Sequence, residues 1–124
     1  MHDLQTIIKQ NKSKAIKIID RTKLDGGISF NCDLEVINIT DGFTVSIKNI
    51  ITTDNEEEIE KKLNSLNRYV LSLTGSYFGL WLHNSKFYLD VNTNINNRKE
   101  AIKTGKLHKQ ISIFDESLKK EVKI

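Results

Sequence analysis

Apolar and polar residues alternate through Phe43-Thr-Val-Ser-Ile-Lys, placing Phe43, Val45 and Ile47 on one side of an extended chain and Thr44, Ser46 and Lys48 on the other. A period of two marks a half-buried strand. The turn dipeptide Asp41-Gly42 sets its start, so a strand is predicted from Gly42 to about Ile50. The pattern then changes period. Ile59, Leu63, Leu66, Val70 and Leu73 recur at spacings of four and three, which puts them on one stripe of a helix about four turns long. Asp54 is positioned to cap that helix, Glu57 completes a capping-box pattern, and Gly75 supplies the stop.

Tyr77-Phe-Gly-Leu-Trp-Leu and Phe87-Tyr-Leu-Asp-Val are separated by His83-Asn-Ser-Lys and predict two strands across a short turn. On the second of them Asp90 faces the same side as Tyr88, while Phe87, Leu89 and Val91 face the other. Asn97 with Glu100 repeats the capping signal, and Ala101, Ile102, Gly105 and Leu107 predict a shorter helix. Ile111-Ser-Ile-Phe reads as the next strand, and Glu121-Val-Lys-Ile as a terminal strand pairing back after the turn at Asp115-Glu-Ser.

Upstream, Leu4, Ile7, Ile8, Ala15, Ile18 and Ile19 fall at near-helical spacing between lysines and predict an amphipathic helix from about Asp3 to Asp20. Asn11-Lys-Ser is a candidate interruption, and Ala-Ile-Lys-Ile-Ile also fits a strand. Asp25-Gly-Gly breaks the pattern. Ile28-Ser-Phe-Asn and Leu34-Glu-Val-Ile-Asn-Ile are extra short strand-like runs.

From residue 42 the order is strand, helix, strand, strand, helix, strand. That is the ferredoxin-like β-α-β-β-α-β pattern, an α+β fold in which helices cover one face of an antiparallel sheet. The second face is then open to the first helix, to a partner or to solvent, unless the early strands extend the sheet at an edge. The 124 residues predict one domain, made of a basic helical segment over 1–24 and an α+β body over 25–124.

Net charge is +3, unevenly distributed. Residues 1–23 hold six Lys/Arg against two Asp, residues 24–97 hold five against ten acids, and residues 98–124 hold eight against four. Clustered cations at the two ends attract polyanions, so nucleic acid enters as a candidate partner through Lys9, Lys12, Lys14 and Lys17. A Lys-rich composition alone also produces such clusters. A single cysteine, Cys32, excludes an internal disulfide framework and fits a reducing compartment. No leader pattern and no long apolar run is present, so a soluble protein of the cytoplasm, away from membranes, is expected.

Catalytic chemistry finds little support. His2, His83 and His108 are too far apart in sequence for a metal-ligand pattern, so no metal is expected, and no cofactor motif occurs. No Gly-x-Ser-x-Gly elbow accompanies a base, and Gly26-Gly27 matches no phosphate-cradling loop. Asp90 lacks a second titratable group nearby in sequence, so a surface or structural use is expected for it. Tyr77, Trp81, Phe87 and Tyr88 suggest a base-stacking platform, but the RNA-recognition motif is absent and core packing against the two helices is the expected use. Asp54, Glu56, Glu57, Glu58 and Glu60 form the densest charge run; they suit a solvated helix start and offer an acidic contact surface.

Tyr77-Phe-Gly-Leu-Trp-Leu, Phe87-Tyr-Leu-Asp-Val, Asn97-Arg-Lys-Glu-Ala-Ile-Lys-Thr-Gly and Gln110-Ile-Ser-Ile-Phe-Asp resemble an arrangement in small uncharacterised proteins of bacterial phages and integrating mobile elements. The resemblance covers roughly residues 26–115. It implies a non-catalytic protein-binding module of a mobile element, an inhibitor of a host defence or nucleic-acid-handling complex of the anti-CRISPR or anti-restriction type, acting in the bacterial cytoplasm. The acidic run is then the candidate contact surface for a host protein or nucleoprotein complex. The alternative is a small nucleic-acid-binding protein using the four lysines and an aromatic sheet face. An exposed Trp and apolar sheet face would also favour a homodimer.

Overall fold

The computed structural model describes residues 4–66 and 76–124, with side chains from residue 14 onward. Among the described residues the fold is α+β, with three helices and one six-stranded antiparallel sheet. Helix α1 (Leu4–Asp25) leads into β1 (Gly27–Phe30) and β2 (Phe43–Thr53). Helix α2 (Glu56–Asn64), β3 (Tyr77–His83), β4 (Lys86–Ile95), α3 (Arg98–Leu107), β5 (Ser112–Asp115) and β6 (Lys120–Lys123) follow.

Local chemistry accounts for most boundaries. Asn97 caps α3 by accepting from the Glu100 amide at 3.0 Å, as its spacing from Glu100 predicts. The α2 cap falls one residue later than Asp54: Asn55 Oδ1 accepts from the amides of Glu57 at 2.8 Å and Glu58 at 3.2 Å. The stripe positions Val70 and Leu73 and the stop at Gly75 lie outside the described residues. Asn84 and Ser85 both have positive φ, 51° and 64°, the pairing a tight primed turn needs to join twisted strands.

Two expectations are corrected. Helix α1 runs unbroken through Asn11-Lys-Ser to Asp25, because Ile18, Ile19 and Thr22 keep its buried side turned to the core beyond Asp20. Leu34–Ile39 forms no strand. Asn31 Oδ1 takes the amides of Asp33 and Glu35, each at 3.0 Å, and Leu34 adopts φ 61°, so the chain folds into a side-chain-built turn instead of a ladder. Among the described residues a single isolated bridge, Phe30 to Val36, ties this loop to β1.

Strand order is β1-β3-β4-β2-β5-β6, all pairs antiparallel. A four-stranded ferredoxin-like sheet is therefore not what is observed: β1 adds beyond β3, β6 adds beyond β5, and the sheet curls. Two register shifts in β2, between Ser46 and Lys48 and between Asn49 and Ile51, bend this inner strand.

All three helices cover one face. Ala15, Ile18 and Ile19 of α1 and Ile59 and Leu63 of α2 pack with Ile28, Phe30, Phe78, Leu80, Phe87, Leu89 and Val91. Ala101 of α3 packs with Val45 and Ile113 in a second, smaller cluster. The first helix thus joins α2 on the same side, and among the described residues no helix covers the second face of the sheet.

Candidate functional site

Register decides what occupies that second face. Tyr77 lies opposite Asn92, Gly79 opposite Asp90 and Trp81 opposite Tyr88, while Phe78, Leu80 and Leu82 of the same strand point to the helices. Across β2, Thr44 pairs with Asn94 on one side and with Phe114 of β5 on the other. The helix-free face is therefore built from Thr44, Ser46, Tyr77, Gly79, Trp81, Tyr88, Asp90, Asn92 and Phe114. The expected placement of Asp90 with Tyr88 holds. The expected core packing of the aromatic residues holds for Phe87 alone; Tyr77, Trp81 and Tyr88 lie on the opposite face because they alternate with the residues that meet the helices.

Curling makes this face concave. Trp81 on β3 and Phe114 on β5 are three strand steps apart, roughly 14 Å across a flat sheet, and are further offset along it because they lie level with Tyr88 and Asn94 of β4. Their ring centroids stand only 5.6 Å apart, tilted by 50°. Two glycines make room for the indole. A Cβ on Gly27 would run into its six-membered ring, and one on Gly79 would sit 3.0 Å from Trp81 Nε1. The indole consequently lies low over β1 and β3, with the Phe114 ring against it inside the curl.

Polar groups fill the space beside the ring pair. Thr44, Asp90, Asn92 and Glu116 are all buried. Thr44 Oγ1 donates to Glu116 Oε2 at 2.5 Å, so its oxygen accepts the Tyr77 hydroxyl, also at 2.5 Å. The Glu116 carboxylate is completed by Lys119 Nζ at 2.8 Å. Burial, with a further push from the Glu116 charge and against the Thr44 hydrogen bond, raises the Tyr77 hydroxyl to about 12. Burial likewise raises the Asp90 carboxyl, opposed by Asn49, whose Nδ2 donates to Asp90 Oδ1 at 2.8 Å, and by Ser46. Asn92 differs from its neighbours. It is fully buried, and neither Nδ2 nor Oδ1 has a hydrogen-bond partner among the described residues.

The acidic run lies elsewhere. Asp54, Glu56, Glu57 and Glu58 are exposed at the start of α2 and Glu60 is half-buried, but Glu56 is ion-paired with Lys23 at the end of α1. Part of that charge is therefore answered within the molecule. Lys14 and Lys17 are exposed on α1, along a groove of about 400 Å³ with Arg21, Leu24, Leu34 and Val36. The side chains of Lys9 and Lys12 lie outside the described residues. The basic helix and the aromatic face stand on opposite sides of the sheet, so the two halves of the nucleic-acid alternative do not form one surface.

His83 is exposed beside the hairpin turn and His108 is exposed at the end of α3. Cys32 is half-buried against the larger core cluster. Among the described residues no cluster of three or more His, Cys, Asp or Glu could hold a metal ion, and no helix is long and apolar enough to cross a membrane.

The fold and this face define a small α+β protein with helices on one side of a curled sheet and a polar, aromatic-rimmed concavity on the other. No family model, curated protein or solved structure matches the chain.

Proposed function

We propose that this chain is a non-catalytic binding module whose contact surface is the concave face of the sheet. The observation that carries it is that this face is uncovered among the described residues: Trp81, Tyr88 and Phe114 remain half-buried there while the three described helices pack on the other side. Aromatic side chains with an apolar body and few rotamers are the usual anchors of protein interfaces. A binding role also agrees with the state of the carboxylates, since Asp90 and Glu116 are engaged by Asn49, Thr44 and Lys119 rather than poised as an acid–base pair.

The class of partner, a host protein or nucleoprotein complex that handles nucleic acid, is supported by the resemblance of residues 26–115 to small phage and mobile-element proteins. A ferredoxin-like ancestry of the segment from residue 42 belongs to the same proposal, supported by the element order from β2 to β5. Contact through the acidic start of α2 is the second reading, favoured by the exposure of Asp54, Glu57 and Glu58.

Capture of purified restriction and CRISPR effector complexes separates these. Tyr88→Lys should abolish capture by the wild-type level of bait, while the triple reversal of Glu56, Glu57 and Glu58 to Lys should leave it intact. The opposite pattern removes the concave face in favour of the acidic surface. Capture of none of the complexes by the wild-type chain removes the partner class.

A further inference from the structure

Helix α3 meets the sheet through its smallest residues. Ala101 and Gly105 are buried, and a Cβ on Gly105 would stand 2.6 Å from Ile124 Cδ1 and 3.0 Å from Ile113 Cγ2, so the helix sits close on the strands. At about 100° per residue, Lys99, Lys103, Lys106 and Leu107 fall on the outward side, and all four are exposed. The helix closes with Lys109 at φ 58°, the Lys109 amide on the Lys106 carbonyl at 3.0 Å and the Gln110 amide on the Gly105 carbonyl at 2.9 Å. Ile111 follows at the same end, its carbonyl accepting from the Ile124 amide at 3.0 Å. Leu107 is 77% exposed and Ile111 82%, two of the three highest values for large apolar side chains among the described residues. Around them, residues 98–111 carry Arg98, Lys99, Lys103, Lys106 and Lys109 against one acid, Glu100. We propose that this end of α3 is a peripheral docking site for the anionic surface of a phospholipid bilayer.

Two properties together select a lipid surface. The excess of cations complements a plane of anionic head groups, at about fivefold in binding for each lysine held near it. Leu107 and Ile111 protrude at the same end, and aliphatic chains that protrude need no preformed pocket in a bilayer. They pass between head groups into the acyl boundary while the lysine ammonium groups stay level with the phosphates. A nucleic-acid backbone meets the same cations but gives two aliphatic chains no apolar cover. Its single strands are gripped by stacking on aromatic rings, of which residues 98–111 hold only His108. Contact here is with the surface alone, since among the described residues no helix is long and apolar enough to cross a membrane. Surface attachment needs neither a leader nor a long apolar run, so the expectation of a chain kept away from membranes, drawn from their lack, does not bear on it. Helix α3 and the concave face lie on opposite sides of the sheet, so a chain docked this way turns the concave face to solution.

The site stands apart from the concave face, so its test does not depend on capture of a protein. Co-sedimentation of the intact chain with vesicles of phosphatidylcholine and phosphatidylserine should saturate, and binding to vesicles of phosphatidylcholine alone should be at least about tenfold weaker. Added salt should weaken binding to the anionic vesicles. Lys103→Gln with Lys106→Gln should lower affinity about 25-fold, two factors of about five. Lys14→Gln with Lys17→Gln, equal in charge but on α1, should lower it by less than about fivefold. Leu107→Ser with Ile111→Ser should weaken binding by about tenfold at low and high salt alike. The comparison of the two vesicle types uses no variant and stands whatever the stability of the variants. Absence of saturable binding to anionic vesicles, or equal binding to neutral ones, overturns the site. An equal loss from the α1 pair moves the contact away from α3 and overturns its location. Tighter binding of duplex DNA or single-stranded RNA than of anionic vesicles, unchanged by Leu107→Ser with Ile111→Ser, overturns the lipid surface in favour of a nucleic-acid backbone.

Discussion

Replacing Thr44 by Val tests whether one hydroxyl organises the polar half of the concave face. The two side chains have nearly the same shape, so the change removes hydrogen bonding without leaving a void. Thr44 Oγ1 donates to the Glu116 carboxylate and accepts from Tyr77, and all three residues are at most 5% exposed. Losing a hydrogen bond to a charged group costs about 1.5–3 kcal/mol, and stranding a buried hydroxyl donor costs about 1–3 kcal/mol. The extra methyl of Val returns somewhat under 1 kcal/mol, and Lys119 continues to hold the other carboxylate oxygen. A net loss of about 3 kcal/mol follows from these magnitudes. For 124 residues, at about 2.1 cal/mol/K each, unfolding entropy is about 0.26 kcal/mol/K, so Tm should fall by about 12 °C. Thermal and urea unfolding followed by far-ultraviolet circular dichroism measure this, with Thr44→Ser as the companion variant. Serine keeps the hydroxyl and should cost about 1 kcal/mol. A Thr44→Val protein within about 0.5 kcal/mol of wild type, or a serine variant as damaged as the valine one, would refute the reasoning.

Two further outcomes follow from the same face. Tyr77 carries a hydroxyl raised to about 12 from an ordinary value of 10.0, so its proton is held more tightly in the folded chain than in the unfolded one. The associated stability is complete below pH 10 and is lost as pH rises towards 12; absorbance titration of the phenolates should show a late phase that Tyr77→Phe removes, and its survival in that variant would assign the phase to another tyrosine. Gly27→Ala should force the Trp81 indole off the sheet, costing about 1–3 kcal/mol and changing Trp81 emission. Gly26→Ala, whose Cβ would meet nothing but whose φ is +87°, should also lose stability while leaving that emission unchanged.

Elements whose signals are local could be read from the sequence. The Asn97 cap, the hairpin turn at Asn84-Ser85 and the alternation that puts Asp90 with Tyr88 are each written in a few adjacent residues. The false strand at 34–39 shows the limit of that approach, because Asn31 competes from outside the run for the amides that a ladder would have used. The concave site was hidden for a different reason. Tyr77, Asn92, Thr44, Phe114 and Glu116 come from segments far apart in the chain, and the curl of the sheet brings Trp81 to Phe114. One signal was available. Tyr88, Asp90, Asn92 and Asn94 alternate with Phe87, Leu89, Val91 and Thr93, which announces a polar sheet face and argues against packing Tyr88 into the core.

The loop that displaced the expected strand also governs how this sheet can grow. By returning along β1, with the Ile37 amide bonded to Ser29 and the Asn31 amide to Glu35, residues 31–37 occupy hydrogen-bonding positions beside that outer strand. That bridge, Phe30 to Val36, hinders further strand addition at the Phe30 end of β1. The opposite border, β6, is four residues long and carries Lys120, Glu121 and Lys123, so any incoming strand meets charges of both signs. One border is partly occupied by the chain's own backbone and the other carries charges of both signs, and each feature hinders the pairing of a further strand.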